Sequence, residues 1–529
     1  MDILRLFNLR QTPQTQPAEE RQVPNSAGGF TFELDDLARL RRFLTLGVDG
    51  GTYYTSDRAL ALENAEVLTR LAASDPEGLV ATIVDVSARG AAPKQNPALF
   101  ALAYASSVPQ AAPAALAALP KVARTGTHLF LFAGYVEQFR GWGRGLRRAV
   151  AAWYTEKDAD ALAYQLVKYR QRQGWSHRDL LRLAHPVTSL PALRSTFDWV
   201  VRGTAGGELP TLIEGFTAAQ ATTDPGAWAR LVRTFGLSWE MLPDAALNEV
   251  PVWEALLDAG VPQTALIRQL PRLTRLGLLP ELGGRTAQVT AQLTDPARLK
   301  AGRVHPVNVL IAQRTYAAGR SARGAGEWAP TRQVVDALDA AFYAAFGAIE
   351  PAGKATLLAV DVSGSMGVPI SGLPITAREA SAALALVQLA TEPSSSAVGF
   401  SGRNGFGSTP ELSPLAISPR QRLDDALKVV DRMPFGATDC ALPMLYAADR
   451  GLEVETFVVY TDNETWAGNV HPHQALRQYR ATTGIAAKLI VVGMTATNFS
   501  IADPDDAGML DIAGFDSSVP SLITEFSRG

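Results

Sequence analysis

The chain has 529 residues, of which 47% are apolar and 19% charged, and its mean hydropathy is +0.03. This length exceeds what one hydrophobic core usually organises, so the sequence predicts at least two domains. No apolar run approaches the roughly 20 residues needed to span a bilayer, and the N-terminal stretch lacks the features of a signal peptide. Cys440 is the only cysteine, which excludes a disulfide framework within the chain. The sequence therefore predicts a cytoplasmic protein without a membrane partner.

Charge is distributed unevenly along the chain, although the net charge is only −3. Residues 351–529 carry 12 basic and 19 acidic side chains, whereas residues 1–350 carry 37 and 33. Two basic islands stand out: residues 121–185 have 12 basic and 5 acidic side chains, and residues 268–332 have 11 and 3. Such islands indicate either an anionic partner or the solvated face of a set of helices.

Residues 1–28 are rich in Gln, Pro, Thr and Glu and show little periodicity, which predicts an N-terminal tail or an extended arm. From residue 29 to residue 350, apolar residues recur at helical spacing, and turns of Gly, Pro and Asp separate the segments. Many short helices without a strict repeat favour an α-solenoid of HEAT-like helix pairs. The pattern is clearest in residues 56–74, 143–154, 176–185, 262–277 and 332–346.

The period changes after residue 350, and residues 351–529 are predicted to form a second domain. Amphipathic helical patterns at 376–392 and 471–481 alternate with short apolar runs, which favours an α/β doubly wound parallel sheet. In such sheets ligands bind beyond the carboxyl ends of the strands, where Asp361 and Asp462 are expected. The apolar runs are residues 356–362, 396–402, 456–462 and 488–494.

The loop after the first of these runs has the sequence DVSGS, which places Asp361, Ser363 and Ser365 at spacings of two. Together with Thr438 and Asp462, this pattern resembles the metal-ion-dependent adhesion site of von Willebrand factor A domains. The resemblance implies that the serines and the threonine bind the metal directly and that the aspartates act mainly through bound water. Hard oxygen ligands of this kind suit Mg²⁺ with one position open for a partner's oxygen. The alternative interpretation is a serine-rich turn without an ion.

Segments in both halves of the chain are similar to the Ro autoantigen family, which is defined by the TROVE module. The resemblance covers the chain from about residue 30 and indicates a bacterial-type member. It implies a ring of HEAT-like repeats, closed by contact between its ends and a von Willebrand factor A domain. The segments are residues 50–71, 141–154, 168–186, 337–346, 436–444, 461–472 and 501–516.

The same resemblance implies a function in ribonucleoprotein assembly and in the quality control or degradation of non-coding RNA, including under stress. Members of the family bind small non-coding Y RNAs on the outer surface of the ring. They also take single-stranded 3′ ends of misfolded or damaged RNA into a central hole. Both partners are therefore expected for this chain.

Helical spacing arranges the basic residues of the first island in stripes that can follow a phosphate backbone. The family's Y RNA contacts carry over by resemblance to Lys168, Arg172 and His185. The same motif adds Arg170, His177 and Arg178 as further candidates. The stripes, each at i, i+4 or i+7 spacing, are Arg178, Arg182 and His185; Lys168 and Arg172; and Arg140, Arg144 and Arg148.

The second island repeats this spacing in Arg268, Arg272 and Arg275, although Pro271 is expected to bend or interrupt the helix. The basic residues that follow these arginines are Arg298, Lys300, Arg303, His305, Arg320 and Arg323. We assign this second island, with Arg268, Arg272 and Arg275 as its candidate contacts, to the central hole, where a positively charged wall can hold single strands without base-specific contacts.

Three classes of function remain open from the sequence. The first is a non-catalytic RNA-binding ring, which recruits an exoribonuclease for any degradation, as the resemblance implies. The second is a metal-dependent module that binds a partner protein's carboxylate, with the helices as a scaffold. The third is a nuclease in which Mg²⁺ activates water, although Glu464 is the only candidate base beside the metal motif. We favour the first, with no enzymatic activity and a monomeric chain, because one chain suffices to close the ring.

Overall fold

The computed structural model describes residues 11–48, 52, 56–172, 174–203, 206–321, 325–370, 373–401, 411–419, 421–433, 436–514 and 516–529. Arg323 and residues 402–410 lie outside this part of the chain. The described residues form 23 α-helices and 11 β-strands. Eighteen of these helices lie in residues 29–350, which we call the helical domain, and five lie in residues 351–529, the second domain.

The helical domain is an array in which each helix packs mainly against helices one to three positions along the chain. The strongest contacts include α4 with α6, α12 with α13 and α17 with α18, as in a solenoid. The bounds are α1 Asp36–Leu46, α2 Asp57–Ser74, α3 Pro76–Arg89, α4 Asn96–Ala105, α5 Ala112–Val122, α6 Gly126–Phe139, α7 Arg144–Thr155, α8 Ala159–Lys168, α9 His177–Ala184, α10 Pro191–Arg202, α11 Thr211–Ala221, α12 Pro225–Phe235, α13 Val250–Ala259, α14 Gln263–Arg275, α15 Thr286–Leu293, α16 Pro296–Ala301, α17 Pro306–Ala317 and α18 Arg332–Ala344.

Hydrogen bonds join an early part of this array, the end of α3 and the turn after it, to a late part, the turn before α17 and the start of that helix. Arg303 Nε donates to the carbonyl oxygen of Ala88 at 3.0 Å, and Asn308 Nδ2 donates to that of Pro93 at 3.3 Å. His305 is buried between these two bonds, with an exposure of 3%. The array therefore closes on itself, as the expected ring requires.

The second domain is built on a six-stranded sheet. Its strands are β5 Thr356–Asp361, β6 Ser395–Ser401, β7 Glu411–Pro414, β8 Thr456–Thr461, β9 Lys488–Gly493 and β11 Met509–Ala513. They lie in the order β11-β9-β8-β5-β6-β7, and all neighbours are parallel except β7, which pairs antiparallel with β6 at one edge. The helices are α19 Ala377–Thr391, α20 Leu423–Asp431, α21 Leu442–Asp449, α22 Pro472–Thr483 and α23 Val519–Arg528. The predicted doubly wound sheet is confirmed, with β7 and β11 as additions.

The N-terminal segment, residues 11–34, runs along the second domain rather than along the helices that follow it in sequence. Its strands β1 (Gln22–Pro24) and β2 (Phe30–Glu33) pair antiparallel, and β2 also pairs with β10 (Phe499–Ser500). Within the predicted tail, residues 22–24 are therefore held in a small three-stranded sheet. A further short hairpin, β3 (Gln171–Arg172) and β4 (Trp175–Ser176), lies between α8 and α9.

The two domains share one apolar core, which continues from α8–α18 into the face of the sheet covered by α19. Ion pairs cross the same boundary at several places, of which two lie far apart along the array. The buried Arg42 of α1 pairs with Asp511 of β11, and Arg314 of α17 pairs with Glu379 of α19 at 2.6 Å. The second domain is thus fixed to the first helix of the array, α1, and to α17 near its other end. Within the described residues, none of the helices combines the length and apolar character that a membrane crossing needs.

Candidate metal centre and nucleic-acid interface

The loop at the carboxyl end of β5 gathers three polar side chains in the interior of the protein. The backbone N–H of Ser363 donates to Asp361 Oδ1 at 2.9 Å, and the hydroxyl oxygens of Ser363 and Ser365 are 3.1 Å apart. None of these three residues is more than 3% exposed. The spacing of two in the sequence therefore produces a cluster of oxygen atoms on one side of the loop.

Asp462 and Thr438 approach this loop from neighbouring elements. Because β8 lies beside β5, Asp462 directly after β8 comes next to Asp361. Burial, together with the negative charge of Asp462, raises the pKa of Asp361 to about 7. The loop of the buried Thr438 is joined to the serine loop by a 3.2 Å bond from Gly364 N to the carbonyl oxygen of Gly436. The five residues predicted from the sequence thus lie in adjoining loops at one edge of the sheet.

The donor set of this cluster fits a hard divalent cation. It offers hydroxyl and carboxylate oxygens, which are the ligands that Mg²⁺ prefers. Among the described residues no basic side chain hydrogen-bonds either Asp361 or Asp462, so two neighbouring carboxylates are buried without a direct cationic partner. The described residues hold no group of three His, Cys, Asp or Glu side chains arranged for a metal. A metal here would therefore depend on the serine and threonine hydroxyls.

Two residues that position the loop were not found from the sequence. Thr461 Oγ1 donates to Asp361 Oδ2 at 2.7 Å, and Arg378 Nη2 donates to the carbonyl oxygens of Val362 and Ser363, both at 3.0 Å. Arg378 is a buried charge in the first turn of α19, a helix of mainly apolar residues. This unusual placement is the one sequence signal that could have found it.

Glu464, the candidate base beside the metal motif, is fully buried and already has a partner. The backbone N–H of Ala27, in the N-terminal segment, donates to Glu464 Oε2 at 3.0 Å. Burial and the negative charge of Asp462 raise the pKa of Glu464 to about 8. The carboxyl group therefore fastens the N-terminal segment and is not presented to solvent as a base.

Gln14 fastens the same segment to the loops around the metal cluster. Its side chain is fully buried, and Nε2 donates to Asp439 Oδ1 and to the carbonyl oxygen of Val470, both at 2.8 Å. Its Oε1 accepts a bond from Thr465 Oγ1 at 2.6 Å. The backbone N–H of Gly468 donates to the same Oε1 at 3.3 Å, so one amide side chain satisfies four buried polar partners, which the composition of the segment did not indicate.

Replacing Gln14 by alanine is expected to lower the free energy of unfolding by about 2 kcal/mol, because buried partners lose their hydrogen bonds. Gln16→Ala is the matched control, since the Gln16 side chain is exposed and only its backbone oxygen accepts a bond, from His471. Urea denaturation of both variants measures the difference. Equal losses in the two variants would contradict this role of Gln14.

Exposed arginines of α7, the β3–β4 hairpin and α9 form a basic surface, which we call the arginine surface. α7 packs against α9, and α6 packs against both strands of the hairpin, so these elements are contiguous. None of the arginines makes an ion pair with an acidic side chain among the described residues. His185, also exposed, ends α9 in a left-handed conformation with φ of +48°. The arginine surface consists of Arg144, Arg148, Arg170, Arg172, Arg178 and Arg182.

The amphipathic pattern of α9 produces this exposure. A capping box between Ser176 and Asp179 starts the helix, and each of these residues bonds the backbone N–H of the other. Leu180 is fully buried, whereas Arg178 and Arg182 lie one turn apart on the exposed side. Arg178 and Arg182 therefore share one exposed face, as predicted, whereas His185, the third member of the predicted stripe, lies beyond the last helical residue, Ala184.

The two other predicted stripes do not each lie on a single helix, because α8 and α6 end sooner than the spacing suggested; Arg144 and Arg148 do share α7 and are both exposed. α8 ends at Lys168, and Arg172 lies in the hairpin, where Gly174 with φ of +80° allows the chain to reverse. Arg140 ends α6, and Arg144 begins α7. The side chain of Arg140 is half-buried and donates to a backbone carbonyl, so this residue does not extend the arginine surface.

Lys168 is not a free surface cation, which corrects its place in the predicted set. Its side chain is only 8% exposed, and Nζ lies 2.8 Å from the hydroxyl of Tyr164 and 3.4 Å from Glu240 Oε1. A phosphate could reach Lys168 only by displacing these partners. The spacing of residues within α8 does not indicate that Glu240, from a later segment of the chain, lies beside Lys168.

His177 belongs to the core, and its assignment as a candidate RNA contact is wrong. It is 2% exposed, its Nδ1 lies 2.8 Å from the hydroxyl of Tyr154, and its ring stacks on Trp153 at a centroid distance of 6.2 Å. Burial lowers the pKa of His177 to about 3. The imidazole is therefore a neutral, packed ring at neutral pH.

This burial predicts a loss of stability in acid. Because the pKa of His177 is lower in the folded protein than its ordinary value of 6.5, the unfolded chain takes up the proton first as the pH falls. The stability that neutral His177 provides is complete above that ordinary value and is lost progressively below it. When the pH falls from neutral to about 5, the free energy of unfolding should decrease in both proteins. The decrease should be about 2 kcal/mol smaller in His177→Phe than in the unchanged protein. Urea denaturation at both pH values tests this, and parallel losses would refute it.

The three arginines of the second basic island that lie on α14 differ in exposure. α14 continues through Pro271 without interruption, with Arg268 and Arg275 exposed and Arg272 half-buried. Arg268 lines a cavity of about 330 Å³ between α14, α17 and Leu373 of the second domain. The assignment of these three arginines to a central hole stays a prediction.

Comparisons with known proteins match the whole length of the chain. The TROVE domain family model matches residues 23–204 and 226–315, and the Ro60 vWA domain model matches residues 355–527. The chain is 45% identical over 538 residues to the RNA-binding protein RO60 of Deinococcus radiodurans, covering 100% of this chain and 99% of that protein. It is 34% identical over 606 residues to the RNA-binding protein RO60 of Caenorhabditis elegans, covering 98% and 92%.

The fold agrees with a solved structure as well. The crystal structure of the Deinococcus radiodurans Ro (RSR) protein is similar with a TM-score of 0.70 and 43% sequence identity, over 94% of this chain and 100% of that chain. Its match extends over both the helical domain and the second domain. With a TROVE domain, a Ro60 vWA domain and relatives that match from end to end, the chain belongs to the Ro60 family.

Proposed function

We propose that this chain binds RNA through the arginine surface and acts, without catalytic activity, in the quality control of non-coding RNA. The observation that carries the proposal is a set of exposed arginines that pair with no acidic side chain among the described residues. The positive charges of these arginines repel one another, and a bound anion reduces this repulsion. A phosphate backbone supplies negative charges at close spacing. Relatives along the full length are named RNA-binding proteins, which supports the same conclusion.

Two RNA partners follow from the two basic regions. A small structured non-coding RNA of the Y RNA type would bind the arginine surface and His185, because guanidinium groups match phosphate geometry in two parallel hydrogen bonds. Single-stranded 3′ ends of misfolded RNA would bind along Arg268, Arg272 and Arg275. An exoribonuclease recruited to the complex would then carry out any degradation.

We further propose that Mg²⁺ binds at the cluster formed by Asp361, Ser363, Ser365, Thr438 and Asp462. When bound there, the ion would supply a position that accepts an oxygen atom from a partner. The buried carboxylates would hold it through their charge, and Thr461 and Arg378 would keep the loop in position. This arrangement favours a partner-binding role for the second domain beside the RNA-binding role of the helices.

Filter binding with a labelled stem–loop RNA that carries a 3′ single-stranded tail tests the proposal. We expect tight binding that weakens steeply with salt, because phosphate contacts release counterions. The labelled RNA should remain intact in the presence of Mg²⁺. A chain that binds the RNA no better than an acidic control protein would refute the proposal, and Mg²⁺-dependent cleavage lost in Asp361→Ala would show a nuclease instead.

A further inference from the structure

The place where the helical array closes contains a cavity that neither the metal cluster nor the arginine surface uses. Its volume is about 510 Å³, and its walls come from the end of α3, from α16 and the turn after it, from the end of α18 and from the second domain. Arg89, Lys300 and Arg303 line it, and Ser517 of the second domain faces them. Four segments that are distant in sequence therefore meet around one positively charged space.

The positive charge of this cavity is only partly compensated. Lys300 and Arg303 are exposed and make no ion pair among the described residues. The guanidinium group of Arg89 forms an ion pair with Asp85 at 2.8 Å and a longer one with Asp516 of the second domain at 3.6 Å. Both nearby carboxylates are therefore already engaged, and the other two cations have no acidic partner.

A fourth cation adds to this concentration of charge. Arg124 donates to the hydroxyl of Ser87, in the last turn of α3, at 2.7 Å. Burial and the positive charge of Arg303 both lower the pKa of Arg124, which places the two guanidinium groups within electrostatic reach of each other. Like charges held at a junction weaken it unless an anion lies between them.

The cations are held in place by the closure itself. Arg303 Nε donates to the carbonyl oxygen of Ala88, and its side chain passes over Gly90, where an added Cβ atom would lie 3.1 Å from Arg303 Cβ. Arg303 has a φ of +45°, which a non-glycine residue rarely adopts without support. Arg89 Nη1 donates to Ser518 Oγ at 3.3 Å. The cavity is therefore a preformed site whose charges come from both ends of the array.

We propose that this cavity binds a phosphate group, which neutralises Lys300 and Arg303 and ties the two ends of the helical array to each other. Lysine and arginine side chains are the protein groups that bind phosphate most strongly, and a hydroxyl such as that of Ser517 adds a neutral donor. The phosphate belongs either to a small molecule, such as a nucleotide or inorganic pyrophosphate, or to the backbone of bound RNA. Its binding stabilises the closed array.

Calorimetric titration of the full chain with pyrophosphate, at constant ionic strength, tests this site. We expect one site per chain, and binding about tenfold weaker or more in Lys300→Gln, because a charge-assisted hydrogen bond is lost. Arg298→Gln is the matched control: Arg298 lies on the same helix, α16, but is exposed, pairs with Asp295 and does not line the cavity. Arg303→Gln should weaken binding similarly while keeping a side chain over Gly90.

Titrations with adenosine monophosphate and with a single-stranded oligoribonucleotide distinguish the two sources of phosphate. A variant of the arginine surface distinguishes this cavity from that surface. If adenosine monophosphate and pyrophosphate both bind, the site takes small molecules; if only a single-stranded oligoribonucleotide binds in a Lys300-dependent way, the phosphate is that of RNA. The Arg172→Gln, Arg178→Gln, Arg182→Gln variant should bind pyrophosphate normally, so failure of RNA binding on the arginine surface would leave this test intact. Equal affinity in Lys300→Gln and Arg298→Gln, or no phosphate binding by the unchanged chain, would overturn the proposal.

Discussion

Replacing Arg172, Arg178 and Arg182 together by glutamine is expected to weaken the binding of a structured small RNA by roughly 100- to 1,000-fold at physiological salt. These side chains are exposed and have no acidic partner among the described residues, so the loss falls on the RNA rather than on the fold. Each lost phosphate contact should also reduce the slope of log K against log salt by about 0.7 to 0.9. Filter binding over a range of salt concentrations measures both quantities.

A matched variant removes the same charge elsewhere. Arg202, Arg230 and Arg233 are also exposed arginines of the helical domain, but they pair with Asp198, Asp224 and Asp258. Their replacement by glutamine should change the RNA affinity by less than about threefold. The reason is that the carboxylate paired with each of these arginines already compensates part of its positive charge. If both triple variants lose the same affinity, the RNA responds to net charge and the arginine surface is not its site.

Mg²⁺ is expected to stabilise the unchanged chain but not Asp361→Asn. At a Mg²⁺ concentration about 100 times the dissociation constant, a site present only in the folded protein contributes about 2.7 kcal/mol. The asparagine keeps the shape of the side chain but removes one of two neighbouring buried carboxylates. Thermal denaturation with and without Mg²⁺ gives the difference for each protein.

The controls of this experiment use both the ion and the chain. Without the ion, Asp361→Asn should be at least as stable as the unchanged protein, because burial and repulsion from Asp462 raise the pKa of Asp361 in the folded state. Glu455→Gln, a change at the opposite end of β8, should retain the full response to Mg²⁺. A Mg²⁺ response that survives in Asp361→Asn would place the ion elsewhere.

The periodicity of apolar residues predicted the helices and strands whose conformation is determined by the local sequence. The helix expected at 176–185 is α9, His177–Ala184, and the run expected at 456–462 is β8, Thr456–Thr461. The strands β1, β2 and β10 could not be predicted, because each has only two to four residues and is held by partners far along the chain. Short strands of this kind depend on pairing across the fold rather than on their own sequence.

The residues of the candidate sites could also be predicted only where the local sequence fixes their position. Asp361, Ser363 and Ser365 could be found because a loop after a strand fixes their spacing, whereas Gln14 acts through contacts with loops more than 400 residues away. His177 looked like a surface cation, because a helical pattern identifies the faces of its own helix but not what packs over the first turn. Exposure of each basic residue therefore had to come from the structure.

Photo-crosslinking tests the central claim most directly, namely that this chain holds structured RNA on the arginine surface. A stem–loop RNA containing 4-thiouridine is bound to the full chain and irradiated, and the crosslinked peptides are identified by mass spectrometry. The account predicts crosslinks in peptides that cover residues 140–185, and their loss when Arg172, Arg178 and Arg182 are replaced by glutamine. Crosslinks confined to the second domain, or unchanged in that variant, would contradict it.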